Sequence, residues 1–181
     1  DWDEFLNRYN GELCDVVGNF IHRSLTMTVK NFDGKVPTPG VLDDLDKTLL
    51  GELPSQLDGV AESLEQFRIR QGLERFVDIA RKANQYFDAQ KPWVTRKTDR
   101  DRTATTLYAC CQVVRALCTA MAPFVPSGAE RLAKIIGVTL SQGGPEGGPD
   151  SWNQAKEPWH SGSPIATPEV LFPKLDKDYV A

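Results

Sequence analysis

Leu13-Cys14-Asp15-Val16-Val17-Gly18-Asn19-Phe20-Ile21-His22-Arg23 is the stretch on which the reading of this chain turns. Apolar side chains recur through and ahead of it, at Leu6, Tyr9, Leu13, Val16, Val17, Phe20 and Ile21. That spacing predicts one long amphipathic helix running on to about Phe32. Asp15, Asn19 and Arg23 form a separate polar line at four-residue intervals, which stacks them on successive turns. An acid, an amide and a guanidinium in a row suit the reading of a flat polar ligand. They equally suit the wet flank that any surface helix needs. Gly18 beside them costs a helix about 1 kcal/mol relative to Ala, so something packs close to the backbone there.

Working outward, Asp1, Asp3 and Glu4 supply acids to the helix N-terminus, and Asp33-Gly34 stops the helix with prolines close behind. A helix under way at the first residue implies a natural chain that extends upstream. A short helix is expected from Pro39 to Leu50, with a second starting at Pro54. After a weak break at Gly72, helical spacing runs from Leu73 to Phe87. It must stop near Gln90, because Pro92 pushes Lys91 out of the helical region and leaves Trp93 at a forced corner. Thr95 to Arg102 reads as a charged loop, and helices follow from Leu107 to a stop at Pro123 and from Pro126 to a cap at Gly137.

Ser141 to Gly162, rich in Gly and Pro, reads as an irregular loop pinned by Trp152 and Trp159. Pro168 to Leu175 reads as an extended apolar segment packing back on the helices. No stretch alternates with the period of a strand. The expected fold is therefore all-α, a bundle of about five to six helices with an irregular C-terminal segment. The bundle is expected over residues 1–137 and the irregular part over 138–181.

Composition narrows the chemistry. The 181 residues carry a net charge of -4, which does not by itself point to nucleic acid. The charge is uneven, however. Between Gln66 and Arg102 ten bases (Arg68, Arg70, Arg75, Arg81, Lys82, Lys91, Arg96, Lys97, Arg100, Arg102) face five acids (Glu74, Asp78, Asp88, Asp99, Asp101). A locally basic surface is what steers an anionic partner. Cys14, Cys110, Cys111 and Cys118 make no Cys-x-x-Cys pair, and His22 and His160 stand apart, so no metal site is expected. Cys14, Cys110 and Cys118 fall on apolar helical positions as core residues. With neither a disulfide framework nor a long apolar run, the expected setting is the cytoplasm, with no membrane partner. No phosphate loop, nucleophile elbow or metal-ligand set occurs, so no catalytic residue is expected in this chain.

What stands out is a binding constellation: the Asp15, Asn19 and Arg23 line, the Trp93 corner and the bases from Arg68 to Arg102. Aromatic faces, directional amides and guanidinium groups are what recognition of splayed single-stranded RNA bases requires. A core tryptophan is the alternative reading of Trp93.

At this point the residues resemble a known family. Arg8-Tyr9-Asn10-Gly11-Glu12-Leu13, Gly18-Asn19-Phe20-Ile21-His22-Arg23 and Phe32-Asp33-Gly34 are similar to the first anticodon-domain helix of methionyl-tRNA synthetases. Asn84 to Trp93 resembles the family's Asn-x-Tyr-x-x-x-x-x-Pro-Trp segment, and Leu107-Tyr108 through Pro126 its following helix and Pro-Phe-x-Pro break. Pro168 to Asp176 resembles the stretch that closes the domain. The resemblance implies that Asn19 and Arg23 contact the anticodon of methionine tRNA and that Trp93, after Pro92, stacks on a base. Asp15 falls where some members carry Asn; an acid there accepts from a base amine or orients Arg23, and it repels phosphate. The resemblance also implies an upstream catalytic domain as partner. ATP and methionine, with zinc as a further candidate, belong to that part, leaving this chain without cofactor or activity of its own. The rival readings are an anticodon domain of a related class I synthetase and a helical scaffold for protein partners.

Overall fold

A computed structural model describes residues 1–140 and 151–176. The described residues form helices α1 (Trp2–Arg8), α2 (Asn19–Asn31), α3 (Asp44–Glu65), α4 (Ile69–Gln90), α5 (Pro92–Thr95), α6 (Arg100–Met121), α7 (Pro126–Ile136) and α8 (Ser151–Lys156). A π-helical stretch, Tyr9–Gly18, joins α1 to α2 without a break. The long first helix expected from the apolar spacing is there, but its middle is wound with the wider i→i+5 pattern. Such winding is rare and often accompanies functional sites.

α6 is the hub. From Thr103 to Met121 every residue but Tyr108 and Arg115 is buried, as expected of a helix surrounded by others. α2, α3, α4, α7 and α8 all pack against it. Its buried threonines return their hydroxyls to carbonyls one turn back, Thr103 to Asp99, Thr105 to Asp101 and Thr106 to Arg102, at 2.9–3.0 Å. The four cysteines are buried, and burial pushes the Cys111 and Cys118 thiols up to about 12. They stay protonated and inert.

Three expectations need correction. Pro39 to Leu50 and the segment after Pro54 are not two helices: one helix, α3, starts at Asp44 and carries Pro54 inside it. Pro54 removes one backbone hydrogen bond, yet the buried face of Leu49, Leu53, Leu57 and Val60 continues past it. Packing of that face outweighs the local defect. The charged loop after Thr95 is shorter than expected, because Asp99 caps α6 by accepting from the Arg102 N–H at 2.9 Å. The stretch from Ser141 to Gly162 contains α8, while residues 141–150 lie outside the described residues.

The C-terminal segment does pack back on the bundle. Leu171 and Phe172 are buried, and Asn10 exchanges two hydrogen bonds with the Leu175 backbone at 2.9 and 3.0 Å. Gly18 receives Phe172: a Cβ there would lie 3.2 Å from the ring. The close approach at Gly18 is therefore made by this segment. Trp159 is buried, its backbone bonded in both directions to the Gln112 amide.

Candidate nucleic-acid interface

The corner at Trp93 is a built feature. Lys91 leaves α4 in the left-handed region, φ 48° and ψ 56°, and Pro92 then starts the one-turn α5. For a residue other than Gly this backbone costs on the order of 1–3 kcal/mol, so neighbours must hold it. On the α4 side the Gln90 amide donates to Asp43 at 2.8 Å. On the far side the Thr95 and Thr103 hydroxyls meet at 2.7 Å, tying α5 to α6. Pro92 is buried beneath the turn, whereas Trp93 is 38% exposed.

Asp43 belongs to a buried polar cluster that fixes the ends of three helices. Arg102 on α6 donates to both Asp46 oxygens at 2.7 Å and lies 3.2 Å from Asp43. The Tyr86 hydroxyl on α4 donates to Asp46. Asp43 and Asp46 cap α3 reciprocally. Burial drives the Asp43 carboxyl up, but the Gln90 amide, the Asp46 N–H and Arg102 together hold it below its ordinary value. Burial raises the Tyr86 phenol far above its ordinary value, and Asp46 adds to the shift.

Above this frame, Arg23 and Trp93 come together. The Arg23 guanidinium lies 4.6 Å from the Phe87 ring centre and 5.7 Å from that of Trp93, and Phe87 and Trp93 are 5.8 Å apart. Arg23 is also bonded to Asp88 at 3.2 Å. His22, Arg23, Thr26, Met27, Phe87 and Trp93 line one cleft. Asn19, which is exposed, lines a second cleft together with Asp15, His22 and the C-terminal segment. His22 borders both, so the two clefts share a wall.

Asp15 is held differently from its neighbours on the polar line. Lys174 of the C-terminal segment donates to it at 2.9 Å, while Arg23 is held by Asp88. Burial, then the charge of Asp15, raises the Cys14 thiol in the same cleft, so it sits protonated and is no nucleophile.

The structure also sorts the bases expected between Gln66 and Arg102. Arg70, Arg75, Arg81, Lys82 and Arg102 are engaged with acids. Arg100 donates to the Asn31 carbonyl at 3.0 Å and lies over Phe32. Lys91, Arg96 and Lys97, all exposed, flank Trp93 on its own turn and pair with no acid among the described residues. Sequence reading passed over Phe87, Asp88, His22, Thr26 and Lys174. Phe87 and Asp88 carried a usable signal, lying six and five residues before the Trp93 corner; Lys174, from a distant segment, carried none.

The chain is similar to known proteins. Residues 36–181 match the family model for the anticodon binding domain of methionyl tRNA ligase. The methionine–tRNA ligase of Methanobrevibacter smithii is 37% identical over 182 residues, covering 99% of this chain and 26% of that protein. That of Pyrococcus furiosus is 33% identical over 98% of this chain and 23% of its own length. These matches, unlike the family model, include the helix bearing Asn19 and Arg23. In solved structures, the apo form of Mycobacterium tuberculosis methionyl-tRNA synthetase superposes with a TM-score of 0.85 at 31% identity, covering 94% of this chain and 34% of that one. The chain thus spans about a quarter of the length of the ligases it matches. It belongs to the family of anticodon-binding domains of methionyl-tRNA ligases.

Proposed function

We propose that this chain binds the anticodon loop of methionine tRNA, so that a catalytic part of the same ligase can charge that tRNA with methionine at the expense of ATP. The observation that carries the reading is the joint placement of Arg23 and the half-exposed Trp93 around one cleft, with Asn19 in the adjoining one. Trp93 offers a base-stacking face worth about 1–3 kcal/mol per base. Arg23, reached by RNA from its open side, exchanges Asp88 for a base edge, and Asn19 reads a second base with its amide. Pro92 acts from beneath, as the residue that sets the turn. Lys174 neutralises Asp15, which removes most of the repulsion an acid would exert on a phosphate at that position. Lys91, Arg96 and Lys97 supply the phosphate contacts.

The test is equilibrium binding of the 181-residue chain to a stem-loop with the methionine anticodon, cytosine–adenine–uracil, and to loops with altered anticodons. The proposal expects preference for the methionine loop, lost in Arg23→Ala, and affinity that falls steeply with salt. Each phosphate contact removed, as in Lys97→Ala, lowers the salt slope by about 1. Equal affinity for every loop contradicts the reading and leaves a helical scaffold for protein partners as the account of this surface.

A further inference from the structure

His22 Nδ1 and Thr26 Oγ1 are buried polar atoms with no hydrogen-bonding partner among the described residues, and they sit one turn apart on α2. Buried polar atoms are nearly always paired, so an unpaired one calls for an explanation. Thr26 is out of step with its own fold. Thr28 bonds the Ser24 carbonyl at 2.9 Å, and Thr48, Thr103, Thr105 and Thr106 likewise reach the carbonyl one turn back. Thr26 does not, although the carbonyl of His22 is in the same relation to it. A third such atom, Ser24 Oγ, faces the Cys110 thiol in the core and has no part in the cleft.

His22 and Thr26 both line the cleft closed by Arg23, Met27, Phe87 and Trp93. Without them its polar equipment is a guanidinium, which only donates, and the donor N–H of an indole. Both atoms are buried in the free chain, so a rotation of the Thr26 and His22 side chains is what turns toward the cleft the acceptors it otherwise lacks: His22 Nδ1, when the proton sits on Nε2, and the Thr26 hydroxyl.

We propose that His22 and Thr26 are specificity-determining residues that read the edge of the base stacked on Trp93. The base they fit carries an exocyclic amine beside a ring nitrogen, as cytosine and adenine do. Its amine donates to His22 Nδ1 and its ring nitrogen accepts a hydrogen bond from the Thr26 hydroxyl, while Arg23 is left for a carbonyl oxygen on a base edge. This rests on the anticodon reading above, and the test separates the two.

The measurement is the affinity of the 181-residue chain for three stem-loops. One carries the methionine anticodon, one has its cytosine replaced by uracil, and one has its adenine replaced by purine, which lacks the amine. Thr26→Val removes the hydroxyl at nearly constant shape, and His22→Leu removes the ring nitrogens. Each is expected to bind the methionine loop about 2- to 10-fold more weakly and to lose preference over at least one altered loop. His22→Asn, which keeps an acceptor near the Nδ1 position, is expected to retain the preference. Trp93→Ala should weaken all three loops together. If Thr26→Val and His22→Leu keep the wild-type preference while Trp93→Ala weakens binding, this inference is overturned and the anticodon reading stands. If Trp93→Ala also binds as the wild type does, the anticodon reading falls and takes this inference with it. Melting curves of each variant confirm that the changes in binding occur in a folded chain.

Discussion

The last turns of α4 feed two charged clusters that have been finished in opposite ways. Tyr86 and Gln90 join the cluster around Asp46, where Arg102 bonds both carboxylate oxygens and the acid itself is fully buried. Phe87 and Asp88 join the cluster around Arg23, which is partly exposed, is paired with Asp88 and borders a cleft with polar atoms unpaired among the described residues. The first cluster has used up its hydrogen-bonding capacity on the fold. The second has kept some in reserve. One arginine therefore holds helix ends together, while the other, on the surface, remains available to a ligand.

The largest effect expected from breaking this contrast is at Asp46. Asp46→Ala leaves Arg102 partly buried without its bidentate partner, and removing one member of such a pair costs about 3–5 kcal/mol. Thermal denaturation checks it, and the loss of anticodon binding should follow only from unfolding. Trp93→Ala should do the reverse. It should cost about 1–3 kcal/mol of loop affinity, read by equilibrium titration, and move the melting midpoint little.

The first cluster should respond to acid. The Asp43 carboxyl is held below its ordinary value in the folded chain, so its contribution to stability is complete above the unfolded value of about 3.9. That contribution disappears as pH falls through the lower folded value. Chemical denaturation from pH 7 to 2 should therefore show the Asp43-dependent part of stability vanishing below about pH 4, and Asp43→Asn should flatten that part of the curve. The smallest effect belongs to Lys174→Ala. Its bond to Asp15 is exposed, and such pairs contribute about 0.2–1 kcal/mol, so stability should barely change. Loop affinity should nonetheless fall, because Asp15 then faces the RNA uncompensated.

The helical architecture was legible because apolar spacing survives local irregularities. The caps at Gly34 and Gly137 and the corner at Pro92 could be read for the same kind of reason, since each is a property of one or two residues. The π-helical winding of Tyr9–Gly18 could not, because it leaves the apolar spacing nearly intact. Pro54 misled for a physical reason: a local signal to start a helix was overridden by the packing of Leu53 and Leu57 on either side. At the candidate site, residue types that carry recognition chemistry drew attention to Asn19, Arg23 and Trp93. Which bases were free could not be read, since Arg81 and Lys97 look alike until Glu12 and Asp78 are seen beside the first. His22 and Thr26 were invisible for a similar reason, as an unpaired atom is recognised only when its surroundings are known.

Anticodon binding by this surface depends most on Trp93 being the face on which a base stacks. The chain has four tryptophans, so the direct measurement compares tryptophan emission of the wild type and Trp93→Phe during titration with the methionine stem-loop. Stacking on Trp93 should give quenching in the wild type that tracks binding and is largely absent from Trp93→Phe. Equal quenching in both proteins, or binding without any quenching in the wild type, would contradict it.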